Sequence, residues 1–301
     1  MTNETQMKHG AKPVNPIYRW YHQRFKRKQH KDYASGIVDW TTPHTVITPF
    51  CKNQANNLSC GGQSASNAIY IDRNRRGIVE SELSAKSYYA PAHGDGGGMT
   101  VNALITQICA HGGNLESTVP SYDLDGNPLN EQMMEDTSWQ TPALIEDALT
   151  RAGYTPMNVN IDVDSVAAAI ASEGWVIMEI TGQNNGTWTS ATPLPPSKTN
   201  PNELWNHFMV LYDYGMRSDQ KIIYAMQSMG KDWGVNGTQY FFDNYFQSGY
   251  ILDCFTAMHD SLLIPSGDTN NLSPMQLAWR NVCLWFRNLW GLPIQTSPSP
   301  S

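Results

Sequence analysis

The thiol of Cys60 is the most promising chemical group in this sequence. Cys60 opens a Ser- and Ala-rich stretch that favours a helix, and Gln54 lies six residues before it. His207 follows 147 positions after Cys60, just ahead of the apolar run 208–211. A thiol, an imidazole and a side-chain amide that meet in one fold can carry out nucleophilic catalysis. These three residues are therefore the first candidates for a catalytic site.

The chemistry of a thiol nucleophile sets what the fold must supply. A helix N-terminus and a nearby imidazolium both stabilise the thiolate, which is the reactive form of Cys60. The His207 imidazole can carry the proton to the leaving group. The Gln54 amide can donate a hydrogen bond to the developing oxyanion. A further polar side chain must then hold the imidazole in one tautomer.

Residues 36–261 resemble the papain-like cysteine peptidases, in the compact style of bacterial and viral members. The spacing from Cys60 to His207 agrees with the roughly 130–150 residues typical of papain-type members. The other matching segments follow in the family's order and are Val38-Asp39-Trp40, 48–54, Glu82-Leu83-Ser84 with Tyr88-Tyr89, 95–99 with Ala103-Leu104, Asn206-His207 with 212–215, 233–237 and 240–242.

This resemblance implies a fold and a set of roles. The fold is α+β, with a helical lobe led by the Cys60 helix, a β-rich lobe carrying His207, and the site in the cleft between them. Cys60 is implied as nucleophile, His207 as general acid and base, Gln227 as the residue that orients the imidazole, and Gln54 as an oxyanion-hole donor. The implied substrate-binding residues are Gly97 and Gly98 through their backbones, Met99 in the main specificity pocket, Asn206 and Phe208.

Several positions depart from the family's pattern. Gly61 replaces the Trp that usually follows the nucleophile, and with Gly62 it is expected to leave room beside the thiol. Gln227 replaces an Asn and adds a rotatable bond, so the imidazole should be held more loosely. Met229 replaces a Trp whose indole normally covers the hydrogen bond between imidazole and amide, and the family's usual local disulfide lacks its cysteine. We expect activity that is reduced but not abolished.

Periodicity and capping residues predict the elements around these positions. They predict a helix from Cys60 to about Arg75 with an apolar inward face. The other predicted elements are helices over 101–111, 141–153 and 164–173, a buried strand over 175–178 and a long Asn-, Thr-, Pro- and Ser-rich loop over 182–204. A loop of that length beside a site is often a wall that faces the substrate.

Composition limits the class of protein. The 301 residues include ten Trp and 40% hydrophobic residues, which favours a globular protein. No apolar stretch predicts a membrane span and no secretory signal is visible, so the cellular location stays open, with a reducing compartment or a virus particle favoured. Five cysteines without close pairing favour reduced thiols. No metal-ligand spacing or phosphate-binding motif occurs, so no metal and no cofactor are expected.

Charge divides the chain into three predicted regions. Residues 1–33 hold eight Lys and Arg against two acidic residues and form a basic aromatic arm, whereas the remainder carries a net charge of −13. Residues 34–264 form the predicted peptidase domain. Residues 265–301 comprise a linker and a Trp-rich amphipathic helix.

The two ends offer surfaces for partners besides the peptide or protein substrate. Within the arm, residues 17–31 either pack on the domain or bind an anionic surface, with no specific nucleic acid expected. Residues 273–290 place apolar side chains on one helical stripe. This helix either docks on the chain's own domain or binds a partner protein or a membrane surface.

Three functions stay open at this point. A cysteine peptidase is favoured by Cys60, His207 and Gln54 together. A catalytically weak or inactive papain-like scaffold that serves as a structural or binding component is favoured by the changes at Gln227 and Met229. A cell-wall peptide amidase would use the same chemistry on another substrate.

Overall fold

Helices come first along the chain and an antiparallel sheet follows. The computed structural model describes residues 38–42, 44–197 and 204–259, so the predicted arm 1–33 and helix 273–290 lie outside the described residues. The helices are α1 Cys60–Arg75, α2 Ala85–Tyr89, α3 Val101–Thr106, α4 Glu131–Glu135, α5 Pro142–Leu149, α6 Val163–Glu173 and α7 Asp243–Phe246. The strands are β1 Tyr154–Asn158, β2 Val176–Gln183, β3 Leu204–Arg217, β4 Gln220–Met226, β5 Thr238–Phe242 and β6 Ile251–His259.

Strand β3 is the element that connects the two halves of the fold. The sheet has the order β1-β6-β2-β3-β4-β5, so β3 lies between β2 and β4. It pairs antiparallel with both, with His207 opposite Ile180 and Val210 opposite Met226. Helix α1 packs against β3. The helix that begins at Cys60 is thereby held on the strand that carries His207.

Buried apolar side chains form one cluster on the helical side of the sheet and another around α6. The first joins Ile69 of α1 and Leu104 of α3 to Phe208 and Val210 of β3. The second joins α6 to Met209 and other residues of β3. Successive residues of a strand point to opposite faces, so β3 contributes alternately to the two clusters. The α+β fold predicted from the sequence is confirmed.

The prediction for α1 is confirmed at both ends, whereas the predicted helix over 101–111 changes type. After Thr106 the chain continues as a π-helical turn from Gln107 to His111. The N–H of Gly112 donates to the carbonyl of Gln107, five residues earlier, and the Gln107 side chain donates to the Gly112 carbonyl. Gly112 has a φ of +66° and ends the turn.

The predicted helix over 141–153 ends earlier, at Leu149. Thr141 caps it by accepting from the N–H of Leu144, and Pro142 occupies its first turn as predicted. After Leu149 the N–H groups of Thr150, Arg151 and Ala152 each donate to the carbonyl three residues earlier, and the N–H of Gly153 donates to the carbonyl of Cys109. Helix α6 agrees with the prediction for 164–173 to within one residue.

Strand β2 extends beyond the predicted 175–178. It runs on to Gln183 because its second half pairs with the start of β3, with Gln183 opposite Leu204. The predicted loop therefore begins later, and residues 198–203 of it lie outside the described part of the chain. From Val38 to Met258 the described residues belong to one compact unit. None of the helices in the described ranges is long and apolar enough to cross a membrane.

Candidate active site

Cys60 is the first residue of α1, and its side chain is fully buried. The first N–H groups of a helix have no acceptor within the helix, and together with the helix dipole they favour negative charge at this end. The position therefore suits a thiolate and, later in a reaction, an oxyanion.

The loop that leads into α1 is fixed by Asn57. The backbone N–H of Asn57 donates to the Gln54 carbonyl at 3.0 Å, and its side-chain amide donates to the Leu129 carbonyl at 2.7 Å. Its side-chain oxygen accepts from the N–H and the hydroxyl of Ser59, at 3.1 and 2.6 Å. Each polar group of this side chain is used, so residues 54–59 have a defined conformation in front of Cys60.

The Gln54 side chain is fully buried and its amide has a fixed orientation. Its Nε2 donates to the Asn57 carbonyl at 2.7 Å, and its Oε1 accepts from the Ser228 hydroxyl at 2.5 Å. Nε2 carries two hydrogens, and this bond uses one of them. The backbone N–H of Gln54 also donates to the Ser228 carbonyl at 2.7 Å. Gln54 is thereby joined to the residue that directly follows Gln227.

His207 and Gln227 meet as predicted. Gln227 comes directly after β4, whose last residue Met226 lies opposite Val210, so it is close to His207 on the neighbouring strand. His207 Nε2 lies 3.0 Å from Gln227 Oε1. Both side chains are about 99% buried, with exposures of 1% each. Burial lowers the pKa of His207 to about 4, and the hydrogen bond to Gln227 acts in the opposite direction.

A residue that the sequence analysis did not select, Gln239, holds the Gln227 amide. Gln227 Nε2 donates to Gln239 Oε1. Gln239 Nε2 in turn donates to the carbonyls of Trp188 and Ser190, the second at 3.0 Å. The extra rotatable bond of Gln227 was expected to loosen the imidazole. The structure instead shows Gln227 bonded at both ends of its amide.

An indole lies beside the imidazole although Met229 occupies the position where the family has Trp. The ring of Trp205 meets the ring of His207 edge-to-face, with centroids 6.1 Å apart, and Trp188 packs on Trp205 at 4.5 Å. Trp205 lies over Gly182 of β2, where an added Cβ would come within 2.2 Å of the indole. The alternation of β3 offers a signal for this contact, because residues 205 and 207 point to the same face.

The glycine-rich segment 94–98 forms a turn with its own internal bonds. The N–H groups of Gly94 and Gly97 donate to the carbonyls of Gly98 and Gly94, each at 2.9 Å. The N–H of Gly98 donates to the Tyr89 hydroxyl at 2.7 Å. A peptide that pairs with Gly98 must share or replace these bonds. Binding of substrate through Gly97 and Gly98 stays a prediction.

Glu131 ties this turn to the loop before the candidate nucleophile. One carboxylate oxygen accepts from the N–H of Leu58, and the other accepts from the Tyr89 hydroxyl, which itself accepts from Gly98. Burial raises the pKa of Glu131. The carboxylate thus positions the two segments that the resemblance assigns to substrate binding and to the oxyanion hole.

The two glycines after Cys60 are closely packed against neighbouring residues and do not border open space. A Cβ on Gly61 would lie 2.8 Å from the sulfur of Met99. A Cβ on Gly62 would lie 2.4 Å from the carbonyl oxygen of Ala85 and 2.8 Å from Cβ of Tyr89. The expectation that these glycines leave room beside the thiol was therefore wrong. Met99 occupies the space at Gly61, and helix α2 lies close against Gly62.

The remaining predicted substrate residues have clear positions but untested roles. Met99 is fully buried against Gly61, and Phe208 is buried in the same apolar cluster as Cys60. Asn206 Oδ1 accepts from the Thr181 hydroxyl at 3.0 Å. Contacts of all three with a substrate stay predictions.

Comparison with known structures identifies the fold. The chain is similar to xylellain, a cysteine protease from Xylella fastidiosa, with a TM-score of 0.62 and 16% identity over 84% of this chain and 97% of that one. The fold is papain-like. A digestive procathepsin L 3 from the larval midgut of Tenebrio molitor matches with a TM-score of 0.56 and 19% identity, covering 80% of this chain and 78% of that one. No protein-family model matches the sequence, and curated proteins show no match either.

Within this papain-like fold two other cysteines of the described ranges, Cys51 and Cys254, pack against apolar side chains. Cys51 is half-buried, burial raises the pKa of its thiol, and a Cβ on Gly237 would clash with its sulfur. Cys254 is buried in the apolar cluster around α6. In the described ranges, no group of three or more His, Cys, Asp or Glu side chains has the arrangement of a metal site.

Proposed function

We propose that this chain is a cysteine peptidase that hydrolyses peptide bonds through a thioacyl-enzyme. The observation that carries the proposal is the buried hydrogen bond between His207 Nε2 and Gln227 Oε1. It engages Nε2 of the imidazole, so Nδ1 is the nitrogen that we assign to proton exchange with the Cys60 thiol. Ser228, the next residue, holds the Gln54 amide. One segment of chain thus supports both the proposed base and the proposed oxyanion donor.

In the proposed acylation, His207 Nδ1 takes the proton of Cys60 as the sulfur attacks the peptide carbonyl carbon. The carbonyl oxygen becomes an oxyanion, which accepts hydrogen bonds from Gln54 Nε2 and from the backbone N–H of Cys60. When the C–N bond breaks, the imidazolium gives its proton to the leaving amine. The acyl group stays on sulfur as a thioester.

Deacylation repeats these steps with water. His207 takes a proton from the water as its oxygen attacks the thioester carbonyl. The second oxyanion collapses, the C–S bond breaks, and the product leaves as a carboxylic acid. The proton returns to the sulfur of Cys60, so the enzyme is restored and no redox partner is required.

One observation favours the scaffold alternative. Cys60 is 0% exposed and His207 is 1% exposed, so a substrate must displace covering groups to reach either. A scaffold that never meets a substrate at this site has no need to expose them. An active enzyme and a scaffold differ in the reactivity of Cys60 itself.

The test compares Cys60→Ala with Cys51→Ala in the full-length chain. Both remove a thiol in the same part of the sequence, but only Cys60 lies at a helix N-terminus. Iodoacetamide should label Cys60 faster than the other thiols near neutral pH, and a peptide library should be cleaved by the parent and by Cys51→Ala but not by Cys60→Ala. Equal labelling of all thiols, together with no cleavage by the folded parent, would favour the scaffold.

A further inference from the structure

Gln239 lies in a chain of hydrogen bonds, here called the relay, that runs from two backbone carbonyls through Gln239 and Gln227 to His207. It belongs to β5, where it lies opposite Ala225, and its side chain is fully buried. Side chains at 225 and 227 point to the same face of the sheet, so Gln239 is a diagonal neighbour of Gln227. This explains why the two amides meet.

The relay has only one consistent arrangement of donors and acceptors. The backbone carbonyls of Trp188 and Ser190 can only accept, so the nitrogen of the Gln239 amide must face them. The Gln239 oxygen then faces Gln227 and requires the Gln227 nitrogen as its donor. The Gln227 oxygen is left for His207 Nε2, which must carry the proton. A neutral imidazole in this state has its basic lone pair on Nδ1.

The two carbonyls at the start of the relay are themselves held in place. The neighbouring Thr189 carbonyl accepts from the N–H of Gly234 at 3.1 Å, and the Ala191 carbonyl accepts from the N–H of Tyr240 at 2.7 Å. The loop therefore cannot turn its carbonyls away from Gln239 without losing backbone bonds. Reversing either amide would also place two buried acceptors together, which is costly because neither can be hydrated.

The geometry points to Gln239 as a positioning residue that sets the tautomer of His207 through Gln227. This inference rests on the proposed function, because the tautomer matters only if Nδ1 accepts the proton of Cys60. It also assigns a role to the loop around Trp188, which supplies the fixed acceptors. The added rotatable bond of Gln227 is thereby compensated by a second glutamine.

The first measurement reads the tautomer without turnover. His207 should be neutral near pH 7, because burial lowers its pKa to about 4. In a Cys60→Ala background, ring ¹⁵N NMR should place the proton of His207 on Nε2. With Gln239→Met added, the Gln227 amide can reverse, and protonation at Nδ1 should appear. Gln239→Glu is expected to be protonated in this buried site, so its O–H donates to one of the two carbonyls while its other oxygen accepts from Gln227, and it should retain the parent tautomer.

Gln107→Met is the matched control. Gln107 is also a buried glutamine whose amide donates to a backbone carbonyl, that of Gly112 at 2.8 Å. Its loss should cost similar stability and leave the His207 tautomer unchanged. A parent that carries the proton on Nδ1 overturns the inference even if Gln239→Met fails to fold. A folded Gln239→Met with the parent tautomer overturns it as well.

The second measurement is kinetic and uses chains with Cys60 intact. Gln239→Met should lower kcat at least about 10-fold, but by less than the ~10⁴-fold loss of a triad with the wrong tautomer. KM should change little. In a Gln227→Met background the same change should have no further effect, because the relay is already broken. Independent, additive losses would refute action through Gln227.

The two measurements also separate this inference from the proposed function. If the folded parent cleaves no peptide, the proposed function fails, whereas the ring spectra still decide whether Gln239 sets the tautomer. If the parent cleaves peptides and the spectra of Gln239→Met match those of the parent, the function stands and the relay does not.

Discussion

Exchanging Gly62 for Ala should damage the fold far more than the same exchange at Gly61. Both glycines lie in the first turn of α1, where Ala improves helix propensity by at most about 1 kcal/mol. At Gly62 the new methyl group meets the carbonyl oxygen of Ala85 at 2.4 Å and Cβ of Tyr89 at 2.8 Å. Neither can move unless α2 shifts away from α1.

The expected loss in the free energy of unfolding depends on which atoms must move to make room for the methyl group. Overpacking a well-packed site costs about 1–3 kcal/mol, and a clash with backbone belongs at the upper end. Subtracting the gain in helix propensity leaves a net loss of about 2 kcal/mol for Gly62→Ala. At Gly61 the obstacle is the Met99 side chain, with its sulfur at 2.8 Å and its Cβ at 3.3 Å from the added carbon, and no backbone atom stands in the way. Displacing this buried side chain belongs at the lower end of the overpacking range, about 1 kcal/mol, which the gain in helix propensity offsets, so Gly61→Ala should be close to neutral.

Thermal and urea unfolding of the two variants and the parent test this reasoning. A loss of about 2 kcal/mol corresponds to a fall in Tm of roughly 4–8 °C for a domain of about 200 residues. Gly61→Ala should stay near the parent. The reasoning is refuted if Gly62→Ala is as stable as the parent, or if both variants lose stability equally.

Three further changes test the site and one tests the tail. Gln227→Ala should lower kcat by between about 10-fold and ~10⁴-fold because the imidazole loses its orienting partner; an unchanged kcat in peptide hydrolysis would mean that another group holds it. Glu131→Ala leaves the buried N–H and hydroxyl groups bonded to that carboxylate without an acceptor and should lower the free energy of unfolding by about 1–3 kcal/mol, whereas the exposed neighbour Gln132→Ala should match the parent in urea melts. Burial lowers the pKa of His207 to about 4. Since the unfolded imidazole binds its proton near pH 6.5, the free energy of unfolding should be unaffected above that pH and fall by up to about 1.4 kcal/mol per unit towards pH 4, a slope that His207→Gln should lack. Deleting residues 266–301 should leave peptide hydrolysis largely intact and change self-association or attachment, measured by sizing and turnover; an unfolded or inactive truncated chain would place the tail in the catalytic core.

Local patterns predicted the elements that carry the candidate site. The small residues after Cys60 gave the helix α1 with both ends correct. The meeting of His207 with Gln227 followed from ordered motifs of the resemblance, and the structure confirms the contact at 3.0 Å. These features depend on residues close together in sequence, or on motifs whose order is itself informative.

The supporting residues escaped prediction because their contacts are formed by the tertiary structure and not by local sequence. Glu131 reaches back 73 positions to the N–H of Leu58. Gln239 alternates in β5 like any strand residue, and only the register with β4 brings it to Gln227. A buried amide at one position of a strand carries no sign of the amide that it will meet at the end of the neighbouring strand.

The same argument changes how the motif departures should be interpreted. Met229 in place of Trp predicts an uncovered imidazole only if no other indole can reach it, and Trp205 lies edge-on to that ring. Gln227 predicts a loose imidazole only if nothing binds the far end of its amide, and Gln239 does. A substitution within a motif removes a contact, but the cost depends on neighbours that the motif does not include. The sequence alone predicted reduced activity from Gln227 and Met229. We therefore expect this reduction in full only in a chain in which Trp205 or Gln239 has been replaced as well.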